Sequence, residues 1–377
     1  MVGFISLFAS TWLLPVAYGA SNSVAQSTST SSSWTQFTIP ASVDVGAQLI
    51  ANIDDPKAVN PQSTCPGYKA SNVHHTRAGF TASLQLAGDP CNVYGNDIDA
   101  LTLSVEYQAA NRLNIQIFPS NVDASNASWY LLPEDLVPRP KTSPNPSIDD
   151  SELDFSWSNN PSFNFKVIRK ATGDVLFNTE GSALVYEDQF IEFVTSLPQD
   201  YNLYGLGEHI QQLRLLDNAT LTIYAADVGD PIDRNIYGSH PFYMDTRYYE
   251  VDKKDGSLKL HTGDRTDHSK EYKSFSHGVF MRNAHGQEIL THSQDLTWRT
   301  LGGAIDLTFY SGPSQAEVTR NYQLSTVGLP AMQKYSTFGF QQCRWGYANW
   351  SEVEEVVANF EKFDIPLEYI WYGNGNL

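Results

Sequence analysis

Phe338-Gly339-Phe340-Gln341-Gln342-Cys343-Arg344-Trp345-Gly346-Tyr347 and, further on, Leu367-Glu368-Tyr369-Ile370-Trp371 are the two stretches whose reading decides the fold. Each is short and largely apolar. Between them Val353, Val356, Val357 and Phe360 recur at the 3.6-residue period of a helix. Ser351 can cap that helix, with Glu354 reaching back in a capping box, and Pro366 follows its end. Strand, helix and strand in this order predict a parallel βαβ unit with a right-handed crossover, the opening of a (β/α)8 barrel. Such strands are buried only where helices cover both faces and neighbours cover both edges. A whole barrel takes ~250 residues and eight strands, and 329–371 supplies only two, so the barrel is expected to be incomplete.

Upstream, from Phe37 to about Ser325, apolar residues alternate at period two. Examples are Phe80, Ala82, Leu84, Leu86; Leu101, Leu103, Val105; Leu113, Ile115, Ile117; Phe163, Phe165, Val167; and Ile305, Leu307, Phe309. Lys170-Ala171-Thr172-Gly173-Asp174 reads as a hairpin loop between Val167-Ile168 and Val175-Leu176-Phe177. Many short strands with such turns predict an antiparallel β-sandwich. Pro133 to Pro161, rich in Pro, Ser and Asn, is expected to form a long surface excursion. The predicted chain is therefore mostly β. Its parts are a signal peptide (1–20), a Ser/Thr-rich disordered tether (21–36), an N-terminal β-sandwich (37–328), the start of a barrel (329–371) and an off-pattern tail (372–377).

The signal peptide is read from the apolar run Phe4 to Leu14 and the small residues around Ala17-Tyr18-Gly19, so an extracellular location is expected. No later stretch approaches ~20 uncharged apolar residues, and no membrane anchor is expected. Asn126-Ala127-Ser128, Asn218-Ala219-Thr220 and Asn349-Trp350-Ser351 carry the acceptor pattern for N-glycans at Asn126, Asn218 and Asn349. The net charge of −18 argues against a nucleic-acid partner, which needs clustered Lys and Arg. With 20 Tyr, 19 Phe and 8 Trp, the composition suits either a neutral ligand such as a sugar or a well-filled β core. Of three cysteines, Cys65 and Cys91 flank a short segment and are expected to pair, leaving Cys343 as a buried thiol. No Cys-x-x-Cys or His-x-x-x-His spacing supports a metal, and neither metal nor cofactor is expected.

Few residues offer chemistry. Glu208 and His209, after the glycines of Tyr204-Gly205-Leu206-Gly207, read either as an acid/base pair or as a strand end that bonds the backbone. Ser239 and His240 are adjacent on a predicted strand, so their side chains point apart and cannot pair. Asp245-Thr246-Arg247 and Thr262-Gly263-Asp264 are expected to be solvated surface. Asp227 sits in a loop dense with carboxylate and glycine, where it can accept hydrogen bonds from sugar hydroxyls.

Tyr204 to His209, Tyr237-Gly238-Ser239-His240-Pro241-Phe242-Tyr243, Ser276-His277-Gly278-Val279-Phe280 and Gly339 to Tyr347 stand in the order of four signatures of glycoside hydrolase family 31. Along nearly its whole length the chain resembles the secreted fungal α-glucosidases of that family. The resemblance implies a galactose-mutarotase-like sandwich ahead of the barrel. It also implies retaining hydrolysis of terminal α-linked glucose, in maltose-like α-glucosides or starch-derived oligosaccharides, by two aspartates. Carried over by resemblance, Asp227 contacts the non-reducing sugar and Trp345 lines the glucose pocket, core packing being the alternative for Trp345.

The chain also departs from the family pattern. Trp371 is followed by Tyr372-Gly373-Asn374-Gly375-Asn376, where the family has Trp, any residue, Asp, an apolar residue, Asp. Gly373 thus replaces a substrate-binding carboxylate, and the tail is expected to be translated intron. Nucleophile and acid/base belong to later strands, so no catalytic residue is assigned and hydrolysis by this polypeptide alone is not expected. The alternative is a non-catalytic secreted carbohydrate-binding or interaction module. Bare barrel strands are also an association hazard, so removing residues beyond Ser325 is expected to raise solubility.

Overall fold

The alternating segments form antiparallel strands in a computed structural model that describes residues 59–199, 201–225, 234–263 and 265–373. The predicted signal peptide, the tether, residues 37–58 of the predicted sandwich, Asp227 and tail residues 374–377 lie outside the described residues.

The largest sheet has nine strands. In spatial order they are β1 (Tyr68–Thr76), β2 (Gly79–Leu86), β3 (Ala100–Ala109), β4 (Arg112–Pro119), β17 (Ile305–Gly312), β14 (Tyr272–Met281), β12 (Asn235–Val251) and β10 (Leu203–His209), with β13 (Leu258–His261) added to β12. A five-stranded sheet runs β11 (Ala219–Ile223), β15 (Gln287–Thr291), β16 (Asp295–Thr300), β9 (Ile191–Ser196), β8 (Val185–Tyr186). A third sheet is a meander of β5 (Leu153–Ser158), β6 (Asn164–Arg169) and β7 (Asp174–Asn178).

Strand alternation decides what is buried. Leu101, Leu103 and Val105 of β3 and Leu113, Ile115 and Ile117 of β4 lie in a single apolar cluster shared by the three sheets. Aromatic rings join the sheets: Phe80 meets Phe155 at 5.6 Å between ring centres, and Phe177 meets Phe309 edge-on at 5.2 Å. Phe193 stacks on Trp298 at 6.0 Å within the five-stranded sheet. On the other face of the nine-stranded sheet, Phe242, Phe280 and Tyr310 form a second cluster with Val318 and Tyr322 of a helix, Gln315–Tyr322. That helix is α3, after the single turns α1 (Pro61–Thr64) and α2 (Ala127–Tyr130). Ser314 caps α3, its hydroxyl accepting from the Glu317 N–H.

The chain beyond the sandwich folds as strand, helix, strand. β18 (Gln341–Trp345) pairs in parallel with β19 (Tyr369–Gly373), in register Gln341 to Tyr369 and Trp345 to Gly373, and α4 (Trp350–Lys362) connects them. The cap of α4 differs from the expectation. Asn349, not Ser351, occupies the N-cap, accepting from the Glu352 N–H at 3.0 Å, while the Glu352 carboxylate accepts from the Ala348 N–H at 2.7 Å. Asn349-x-x-Glu352 has the same spacing as Ser351-x-x-Glu354, and Asn caps as well as Ser, so the cap falls two residues earlier, with Glu352 reaching back to the N–H just before it.

Three further expectations are corrected. Cys343 is an exposed thiol, because among the described residues β18 has one strand neighbour, β19. The excursion from Pro133 is interrupted by β5, where Leu153 and Phe155 alternate inward and are buried despite the surrounding Pro and Ser. Asp245, Thr246 and Arg247 are not solvated surface: they are 0%, 4% and 4% exposed in the middle of β12, which is covered on both faces.

Candidate functional site: motif strands, barrel opening and an outer groove

Three of the four motifs lie side by side. Gly205 of β10 is opposite Tyr243 of β12, Tyr243 is opposite Val279 of β14, and Asp245 is opposite His277. Their glycines mark close approaches. A Cβ on Gly278 would lie 2.6 Å from the Phe242 ring, and one on Gly238 would lie 2.8 Å from the Glu208 carboxyl carbon.

Glu208 and His209 serve the backbone. Glu208 accepts from the Gly238 N–H at 2.8 Å, and the His209 Nδ1–H donates to the Leu206 carbonyl at 2.8 Å. Asn235 donates to the carbonyls of Glu208 and Gly238, at 3.0 and 2.7 Å, and accepts from the Ser239 hydroxyl at 2.8 Å. Ser239 and His240 do point apart, His240 Nε2 sharing a 2.7 Å hydrogen bond with the Tyr322 hydroxyl. Burial lowers the His240 pKa, favouring the neutral ring.

A buried ion network lies beneath these strands, and the sequence reading missed it. Arg247 donates to Asp245 at 2.8 Å, to Asp174 at 2.6 Å and to the Val175 carbonyl at 2.7 Å, so it ties β12 to β7. Burial opposes the Arg247 charge, but Asp245 and Asp174 outweigh it and raise its pKa. Burial also pushes the Asp245 carboxyl above its ordinary range, against the pull of Arg247. His277 is fully buried beside them, and its pKa is driven well below the usual imidazole value by burial and then by Arg247 and Arg169. The findable signal was spacing: Asp245 and Arg247, two apart on one strand, share a face. A second ionic cluster joins Arg139 to Asp306 at 2.9 Å, with Arg282 3.5 Å away and Asn114 donating to Asp306 at 2.8 Å. These are largely buried anchors, not an acid/base pair facing a substrate.

Trp345 stands at the C-terminal end of β18 and is 81% exposed in this two-stranded unit. Trp371, opposite Cys343, donates its indole N–H to Gln341 at 2.9 Å. Cys65 and Cys91 form a disulfide with a Cα–Cα distance of 5.0 Å. Glu187 lies close to both sulfurs, but sulfurs bonded to each other are not thiolate ligands for a metal. The three sequon asparagines differ in setting. Asn218 is exposed in a turn, Asn126 is half-buried with its amide donating to the Asn121 carbonyl at 3.2 Å, and Asn349 is the α4 cap. No helix among the described residues is long and apolar enough to cross a membrane.

Two depressions open on the sandwich surface around Tyr224, of about 400 and 510 Å³. They share Tyr224, Gly286 and Gln287. Neither they nor the other described cavities bring two carboxylates face to face.

Comparison with known proteins gives a consistent kinship. Residues 102–251 match the glycosyl hydrolase 31 N-terminal galactose mutarotase-like domain, and residues 330–374 match the glycosyl hydrolases family 31 TIM-barrel domain. An alpha-glucosidase of Aspergillus oryzae is 70% identical over 98% of this chain and 38% of its own length, and one of Aspergillus niger is 67% identical over the same shares. Glucoamylase 1 of Schwanniomyces occidentalis is 41% identical over 89% of this chain and 32% of its own. The chain thus spans about a third of the length of these relatives. Among solved structures, a glucosidase II alpha subunit (Glc1Man2-bound) aligns over 81% of this chain and 39% of its own, with a TM-score of 0.59 at 15% identity, a likeness of fold. The chain belongs to glycoside hydrolase family 31, as part of an α-glucosidase lineage whose mutarotase-like sandwich and barrel opening it contains.

Proposed function

We propose that these residues form the substrate-side scaffold of a secreted, N-glycosylated α-glucosidase. The enzyme releases terminal α-linked glucose, with retention, from maltose-like α-glucosides or starch-derived oligosaccharides. The observation that carries this reading is the 70% identity to an alpha-glucosidase across 98% of the chain. By resemblance to the family, Asp227 contacts the non-reducing sugar, and Trp345, at the C-terminal end of a barrel strand where such barrels place their chemistry, offers an aromatic face to the glucose ring. Retaining hydrolysis needs two carboxyl groups about 5–5.5 Å apart and no cofactor. By resemblance to the family, those groups belong to later barrel strands.

The test is a chimera joining residues 1–371 to the remainder of the Aspergillus oryzae relative. It is expected to cleave maltose and release α-glucose first, as read by proton NMR, and an Asp227→Ala version is expected to lose most of kcat/KM. A folded chimera that leaves maltose intact, or releases β-glucose first, overturns the proposal.

A further inference from the structure

We propose that Asn218 carries an N-glycan whose first N-acetylglucosamine is seated in a depression formed by residues 211–221, so that this sugar is part of the folded surface. Asn218 is exposed in the turn that leads into β11, in the left-handed region at φ +57°, which asparagine tolerates better than most residues. The turn is held from both sides. Leu215 is buried and its N–H donates to the Leu203 carbonyl at 2.9 Å, while Asp217 accepts from the Tyr201 hydroxyl at 2.5 Å. Thr291 of β15 closes the turn, its hydroxyl donating to the Leu216 carbonyl at 2.7 Å and accepting from the Ala219 N–H at 3.0 Å. Asn218 is thus a fixed point of attachment between β10 and β15.

The depression beside that point has a volume of about 260 Å³, just under the range of drug-sized sites, which suits a single sugar ring. Asn218 is itself part of the wall, with Gln211, Gln212, Leu216 and Thr220. Leu216 is 54% exposed, and an apolar side chain left open in such a wall is what the C–H face and acetamido methyl of N-acetylglucosamine cover. The amides of Gln211 and Gln212 and the Thr220 hydroxyl offer donors and acceptors to the sugar hydroxyls and the acetamido group. Strand alternation keeps Thr220 on this outer side, since Leu221 next to it is buried in the core. The other two sequons are set differently. Asn126 donates its amide N–H to the Asn121 carbonyl, and Asn349 caps α4.

The occupant is set by covalent attachment, not by recognition of a free sugar. The Asn218 amide nitrogen attacks the anomeric carbon of an oligosaccharide carried on a lipid diphosphate. The C–N bond forms as the C–O bond to the diphosphate breaks, and the amide proton passes to the transferring enzyme. The attachment point precedes the first residue of β11, Ala219, which is opposite Thr291, whereas Tyr224 follows the last residue of that strand. At about 3.4 Å per residue, Tyr224 lies roughly 17 Å beyond Ala219, so the first sugar at Asn218 leaves the depressions around Tyr224 open.

The inference rests on the secreted, N-glycosylated reading above and adds where one glycan's first sugar sits. The full chain is expressed through the secretory pathway of a yeast, and occupancy is read by mass spectrometry of its glycopeptides. Asn218 is expected to be occupied, and trimming with endoglycosidase H, which leaves one N-acetylglucosamine, is expected to keep the melting temperature. Asn218→Asp and Thr220→Val each remove the sequon while suiting the left-handed turn and the strand. Each is expected to lower the melting temperature by about 2–4 °C and to speed hydrogen exchange in residues 211–217. In chains made without glycans in bacteria, the parent and Asn218→Asp are expected to melt together, which separates the sugar's effect from the side chain's. If no sequon is occupied, the glycosylated reading fails along with this one, whereas a bare Asn218 beside an occupied Asn126 or Asn349 overturns this inference alone. An occupied Asn218 whose removal changes neither melting nor exchange also overturns it, as does a trimmed chain that melts like Asn218→Asp or an equal difference between the glycan-free chains.

Discussion

Replacing Arg247 with methionine is expected to cost the sandwich about 4 kcal/mol, within the range for breaking a buried ion pair from one side. The magnitude follows from what is left behind. Asp245 is 0% exposed, and the Asp174 side chain is 12% exposed. Both accept hydrogen bonds from Arg247, at 2.8 and 2.6 Å, and both would face an uncharged thioether after the substitution. The backbone carbonyls of Val175 and Leu176, bonded at 2.7 and 3.3 Å, lose their donor as well. Methionine fills most of the volume, so the loss is electrostatic and not a cavity effect. The assay is urea unfolding followed by circular dichroism, comparing midpoints at equal slope. Asp245→Leu combined with Arg247→Met is expected to cost less than the sum of the single changes, because the two side chains interact directly. A loss below about 1 kcal/mol for Arg247→Met is the value of an exposed pair and would refute the buried network.

Other outcomes follow from the same structure. Breaking the Cys65–Cys91 link, by Cys91→Ser with Cys65→Ser, closes no loop across the 26-residue separation and is expected to cost about 2–4 kcal/mol in the same unfolding assay. The depressed pKa of His277 makes the unfolded chain bind the extra proton below about pH 6.5, so stability should fall on acidification from there, by at most about 1.4 kcal/mol per pH unit. The raised carboxyls of Asp245 and Asp306 act in the opposite sense, their contribution fading as pH rises through their elevated values, so His277→Gln should flatten the acid slope; an unchanged slope contradicts the assignment.

The sandwich was legible because burial on one face leaves a period of two: Leu101, Leu103 and Val105, or Ile305, Leu307 and Phe309, can be read as strands before any contact is known. The βαβ unit was legible in the same way. The sequence was silent wherever a partner from far along the chain decides the outcome. Asp245 and Arg247 look like surface charge until β7 brings Asp174 to them, 71 residues upstream of Asp245 by subtraction. Cys343 looks like core because its neighbours are apolar, yet β18 has one strand partner and the thiol is exposed. The groove at Tyr224 had no sequence signal, since Thr222, Glu288 and Arg299 come from three strands and meet only through register.

The most direct measurement of the central claim is the anomer of glucose first released from maltose by the chimera of residues 1–371 with the remainder of the Aspergillus oryzae relative, followed by proton NMR with host glucosidases excluded. Release of α-glucose first, largely lost in the Asp227→Ala version, is the predicted result. A folded chimera that leaves maltose intact or releases β-glucose first would contradict the account.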